Sequence, residues 1–217
     1  MTSQPPVTTA VSSKPPVELP STTHLDPGAY VRGTDAITLG DHTLVHPRAQ
    51  LISVHGPLSI GDHCIISEKA IIAGPIPSTS TSTTGHSPDP STLDPGAPGQ
   101  DQDQDRSQTT IHSHVHIHPS ATIYHNTTIN SHAVIESHAT ILPSVSVGAH
   151  SKICPGITVD HDVPDWTVVY GAGDQRRRRP PDSVVEAARL KSMDKEREAA
   201  TVILRNAARM ASLARKK

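Results

Sequence analysis

Histidine dominates any chemical reading of this chain. Fifteen of the 217 residues are histidine, and His112, His114, His116 and His118 alternate in one short run. Imidazoles at this density open two chemistries, ligation of a transition metal and proton transfer near neutral pH. Alternation puts the four on one strand face, where a row of outward polar side chains is expected rather than a ligand set. The two cysteines, Cys64 and Cys154, form no C-x-x-C pair. Neither a zinc cluster nor a disulfide framework is therefore expected, and a reducing compartment fits. A third chemistry, binding of phosphate or an acidic surface, could use Arg176, Arg177, Arg178 and Arg179. No aromatic residues interleave that run, so nucleic acid is not an expected partner.

The elements that carry these residues must form a core almost without aromatics, since the chain has three Tyr, one Trp and no Phe. A thin, layered core of Val, Ile, Leu and Ala is implied. The net charge is -2, from 19 basic and 21 acidic residues, which by itself points to no charged partner. Its distribution is uneven, because the segment from Arg176 onward is strongly basic and the remainder acidic. No apolar stretch is long enough to span a bilayer and the start of the chain lacks a signal-peptide pattern, so a cytoplasmic location without membrane insertion is expected.

Pro, Ser and Thr crowd residues 1–24 and again 74–109, and neither segment shows a hydrophobic period. The first is expected to be a disordered tail and the second a disordered insertion. Between and after them lies a period of six. From Ile111 the steps fall on Ile117, Ile123, Ile129, Ile135, Ile141, Val147, Ile153 and Val159, all β-branched aliphatics. Four residues after each sits a mostly small side chain, from Val115 and Ala121 to Ile157 and Val163. Upstream, Leu39, Val45 and Leu51 keep the rule, as do Ile60, Ile66 and Ile72 after a three-residue slip near Gly56-Pro57-Leu58. Glycine follows the aliphatic at Gly40, Gly61 and Gly148, where a close turn leaves no room for a Cβ. Period six fits neither a helix nor a plain alternating strand. It fits a parallel β-helix, an all-β fold in which three short strands close one coil.

The expected organisation is a β-helix over 25–171 interrupted by 74–109, a basic linker over 172–181, and a C-terminal α-helix over 182–217. Asp182 or Ser183 supplies the helix N-cap. Ile203, Ala207, Met210 and Ala214 fall on one stripe, with Leu204, Ala208 and Ala211 beside it, and this stripe is expected to pack on the prism.

Ile37-Thr38-Leu39-Gly40-Asp41, His46-Pro47-Arg48-Ala49, the Gly56-Pro57 slip and the exit Val168-Val169-Tyr170-Gly171-Ala172 followed by arginines resemble the dynactin subunit 6 family in its fungal form. The resemblance covers roughly residues 25–73 and 110–180. It implies a left-handed hexapeptide-repeat β-helix, an exception to the usual right-handed crossover. It also implies a non-catalytic subunit of the dynactin pointed-end complex, pairing with subunit 5 beside the actin-related protein and subunit 4. Support of dynein-dependent, microtubule-based transport in the cytoplasm and cytoskeleton would follow. Partner-interface candidates on this reading are Ile153, Thr158, Trp166, Tyr170, Arg176 and Arg177, with end-on stacking of the terminal coil.

The alternative is a hexapeptide-repeat enzyme acting as a homotrimer, either carbonic anhydrase-like or an acyltransferase. The former family's zinc pattern, two histidines five apart, is absent; Ser131 and Glu136 stand at the corresponding positions after Ile129. The latter family uses a histidine on an extruded loop, and the only such segment here contains His86 alone. The sequence therefore assigns no catalytic, cofactor-binding or metal residue, and the chain is expected not to be an enzyme.

Overall fold

The computed structural model describes residues 15–74, 108–171 and 175–214. Most of the expected tail and of the expected insertion lies outside these residues. Successive strands take turns among three parallel sheets. The first coil is β1 (Val17–Glu18), β2 (His24–Leu25) and β3 (Tyr30–Gly33); the second is β4 (Ile37–Leu39), β5 (Leu44–Val45) and β6 (Gln50–Ser53). The third is β7 (Leu58–Ile60), β8 (Ile65–Ile66) and β9 (Ile71–Gly74); the fourth is β10 (Thr109–Ile111), β11 (His116–Ile117) and β12 (Thr122–Tyr124). The fifth is β13 (Thr128–Ile129), β14 (Val134–Ile135) and β15 (Thr140–Ile141), and the sixth is β16 (Ser146–Val147), β17 (Lys152–Ile153) and β18 (Thr158–Val159). β19 (Thr167–Tyr170) extends the middle sheet, β20 (Gln175–Arg178) follows it, and α1 (Ser183–Ala214) ends the described chain.

Each strand pairs with its equivalent one coil away, so Ile111, Ile129 and Val147 stack in one column, Ile117, Ile135 and Ile153 in a second, and Ile123, Ile141 and Val159 in a third. All nine are buried, as are Val115, Ala121, Ala133 and Ala139 at the small inner corners. Ile60, Ile66 and Ile72 pair directly with Ile111, Ile117 and Ile123, so the ladder resumes in register across residues 75–107. The architecture is a left-handed parallel β-helix with one C-terminal helix. Glycine is required at Gly148 by proximity: a Cβ there would lie 2.4 Å from the carbonyl carbon of Pro164 on the next coil.

Two boundaries differ from the sequence expectation. Strand β1 lies within the segment expected to be a tail, because Val17 pairs with Ile37 and packs on the core. Strand β20 lies within the expected linker, running antiparallel to β19 with Arg177 opposite Val168 and Arg176 opposite Val169. It covers the middle sheet's last edge, which would otherwise expose unpaired backbone groups.

The helix also turns a different face from the one expected. Asp182 Oδ1 caps the N–H groups of Val184 and Val185, at 3.0 and 3.1 Å. The buried positions of α1 are Glu186, Met193 and Arg197, with Arg189, Leu190 and Asp194 half-buried between them. Ile203 and Met210 remain 66% and 68% exposed. The physical reason is the surface beneath: that side of the prism presents histidine rings and turn carbonyls, which a charged helix stripe satisfies and an apolar one would not.

Candidate functional site

Under α1 runs a column of rings. His42, His63, His114, His132, His150 and Trp166 occupy equivalent turns of successive coils, each with positive φ between 54° and 64°. Left-handed backbone at non-glycine residues costs on the order of 1 kcal/mol or more each, and is held here because the coils above and below fix the turn. The ring centroids are 5.1, 4.8, 5.0, 4.5 and 4.1 Å apart in that order, close to the spacing of neighbouring strands. Glu186 reaches the column from the first turn of α1, with Oε1 3.0 Å from His150 Nδ1. Burial would raise the Glu186 pKa, but hydrogen bonds from Arg189 and His150 outweigh it and hold the carboxylate below its ordinary range. Arg189 also donates to the carbonyl of His132 at 2.9 Å.

Beside the column, α1 and the middle sheet enclose a groove of about 320 Å³ whose walls include His116, His118, Glu136, Lys152, Arg189 and Glu196. His118 and Glu136 each follow a ladder isoleucine, Ile117 and Ile135, and so project from adjacent coils on the same side. His118 Nδ1 lies 3.7 Å from Glu136 Oε2, and Lys152 Nζ lies 2.8 Å from Glu136 Oε1. The His118 ring stacks on His116 at 4.0 Å. Burial pushes the His116 pKa down to about 3, reinforced by the neighbouring His118, Arg189 and His46. The Glu196 carboxylate, 3.8 Å away, is 58% exposed and too well solvated to offset that burial. Arg179 lines this groove and also a larger cleft of about 630 Å³, formed with Cys154, Val168, Tyr170, Arg177 and Pro180.

Several expected features sit elsewhere. His112, His114, His116 and His118 do not form one outward row: His114 is in the ring column, and His116 is buried under α1. Period-two alternation fails because the strand here is two residues long and turns intervene on both sides. Ile153 is wholly buried in the core and cannot touch a partner. Trp166 is half-buried, stacked on His150, with Arg179 Cζ 5.3 Å from its ring centroid. Arg176 donates to the carbonyls of Asp162 and His161. Thr158, Tyr170 and Arg177 are exposed. Cys64 fills an inner corner, where burial raises its thiol pKa to about 12 and makes it inert.

Residues 108–143 match the family model described as bacterial transferase hexapeptide (six repeats). That stretch carries hexapeptide repeats. Its fold is shared with a hexapeptide transferase family protein from Anaplasma phagocytophilum, at TM-score 0.60 and 13% identity over 88% of this chain and 92% of that one. A putative acetyltransferase from Bacillus cereus superposes with TM-score 0.54 at 10% identity, covering 84% of this chain and 92% of its own. The matched model is one of transferases, and both structures that share the fold carry transferase descriptions. That finding corrects the expectation of a non-catalytic chain, and it brings no support to the dynactin resemblance. No helix among the described residues is long and apolar enough to cross a membrane.

Proposed function

We propose that this protein transfers an acyl group, acetyl in the simplest case, from a thioester donor to an amine or hydroxyl acceptor. The observation that carries this reading is the His118–Glu136 pair, set inside a groove and joined on its far side by Lys152. In acyl transfer the acceptor nitrogen or oxygen attacks the thioester carbonyl, its proton passes to a base, and the carbon–sulfur bond breaks to release a thiol. His118 serves as that base through its Nε2, while Glu136 orients the ring and stabilises the imidazolium as it forms. The neutral His116 behind it supports the ring without adding charge that would oppose protonation. Lys152, Arg179 and Arg189 favour a substrate that carries phosphate or carboxylate. The cleft beyond Arg179, walled by Val168, Tyr170 and Pro180, suits the long, partly apolar arm of a thioester donor.

The sequence places no histidine at a fixed position on an extruded loop. His118 meets the chemical need from a coil instead, with α1 supplying the opposite wall. Incubation of the purified chain with acetyl-coenzyme A and a panel of amines and hydroxylated acceptors, with released thiol measured by a chromogenic disulfide, tests the proposal. Acceptor-dependent thiol release is expected, and its absence across the panel would refute the assignment.

A further inference from the structure

We propose that His132, His150 and Glu186 form a site for a divalent transition ion of the zinc class, which pins α1 to the prism. One donor atom from each residue lies within 4.8 Å of the other two. His132 and His150 occupy equivalent turns of neighbouring coils, so their rings stack with centroids 4.5 Å apart and planes 12° from parallel. Both Nδ1 atoms are buried; that of His132 makes no hydrogen bond, and that of His150 faces the Glu186 carboxylate at 3.0 Å. A buried imidazole nitrogen without a partner, beside a second whose partner is a carboxylate, is costly for a structural role alone. The two nitrogens are the donors that a borderline metal ion takes, with one carboxylate beside them.

Nitrogen ligands at about 2.0–2.1 Å and an oxygen at about 2.0–2.2 Å around a tetrahedral ion require the donors to draw together by about 1 Å. The rings stand on fixed turns, so most of that adjustment falls to Glu186 on the first turn of α1. A water would complete the coordination. The site differs from the pattern sought after Ile129, which would use positions 131 and 136. It also lies outside the His118 groove, so its occupancy does not depend on the acyl-transfer reading.

The arginines define the competition. Arg189 donates to Glu186 Oε1, and Arg179 Nη2 lies 3.4 Å from Oε2, so two guanidinium groups balance the carboxylate in the metal-free arrangement. A divalent ion takes over that role at Oε1, while Arg189 keeps its bond to the carbonyl of His132. Removing the competing cation therefore tightens metal binding, a result that a nonspecific histidine surface would not give.

Trp166 is the chain's only tryptophan and stacks on His150, so it reports on this site alone. The full chain is titrated with zinc by calorimetry and with Co²⁺ by tryptophan emission and visible absorption. One zinc per chain, quenching of Trp166 by Co²⁺, and reversal of that quenching by zinc are expected. Glu186→Gln and His132→Gln each weaken zinc at least tenfold, and Arg189→Gln strengthens it several-fold. Glu186→Gln leaves the ring column intact, and circular dichroism verifies that every variant is folded. Absence of zinc binding, or zinc affinity and Co²⁺ quenching unchanged in both ligand variants, would overturn the site.

Discussion

The imidazole of His150 lies flat on the indole of Trp166, with ring centroids 4.1 Å apart and planes 8° from parallel. Trp166 ends a column that began at His42, and it occupies the same left-handed turn as the histidines before it. The column gives α1 a polar track to lie on. Trp166→Leu removes the stacking and the Arg179 contact while keeping an apolar side chain, and should lower stability by about 1–2 kcal/mol. Thermal unfolding measures this, and an unchanged midpoint would show that the column's end is energetically idle.

The core predicts a sharp contrast between neighbouring faces. Ile129 is fully buried, with aliphatics above and below, so Ile129→Asp should cost several kcal/mol. Thr158 on β18 is exposed, and Thr158→Asp should change stability by less than about 0.5 kcal/mol. Denaturant melts of the two variants check the register, because equal losses would place Ile129 outside the core.

The unbroken pairing of Ile60, Ile66 and Ile72 with Ile111, Ile117 and Ile123 makes the intervening residues dispensable for the prism. Replacing 76–107 by a short Gly-Ser linker should shift stability by no more than about 1 kcal/mol, since closure entropy varies slowly with loop length. Loss of soluble, β-rich protein on that replacement would contradict the prediction.

Stability should fall with acid through His116. Its folded pKa is depressed to about 3 from 6.5, so below pH 6.5 the unfolded chain takes a proton that the folded chain refuses. The associated stability is complete above pH 6.5 and is lost progressively as the pH falls toward 3. By pH 4.5 the loss from this residue is roughly 2–3 kcal/mol. His116→Asn should flatten the pH dependence of the melting temperature in that window, and a parallel profile would exclude His116 as its source.

The prism was legible in the sequence because each coil repeats the same demand every six residues: Ile117, Ile135 and Ile153 must all point inward, and a branched aliphatic fills the space. The site was not, because its residues meet at a separation of one coil rather than within a motif. His114, His132 and His150 are 18 residues apart, as are His118 and Glu136, and that spacing was the available signal. The docking of α1 gave no comparable sign. Its buried stripe is Glu186, Met193 and Arg197 with the half-buried Arg189, which resembles a solvent face until the histidine track beneath it is known. Strand β20 was hidden for a related reason, since an arginine run gains its strand character from pairing with Thr167–Tyr170.

The central claim is that His118 accepts the proton in acyl transfer. With an acceptor found by thiol release from acetyl-coenzyme A, the decisive measurement is kcat/KM as a function of pH for the native chain, His118→Gln and Glu136→Gln. The account predicts a loss of about 10²–10⁴-fold in His118→Gln, with the acidic limb of the native profile, where activity falls as the base is protonated, removed. It predicts a smaller loss in Glu136→Gln, because the imidazolium that forms in the transition state loses its carboxylate partner. Undiminished turnover and an unchanged profile in His118→Gln would contradict it.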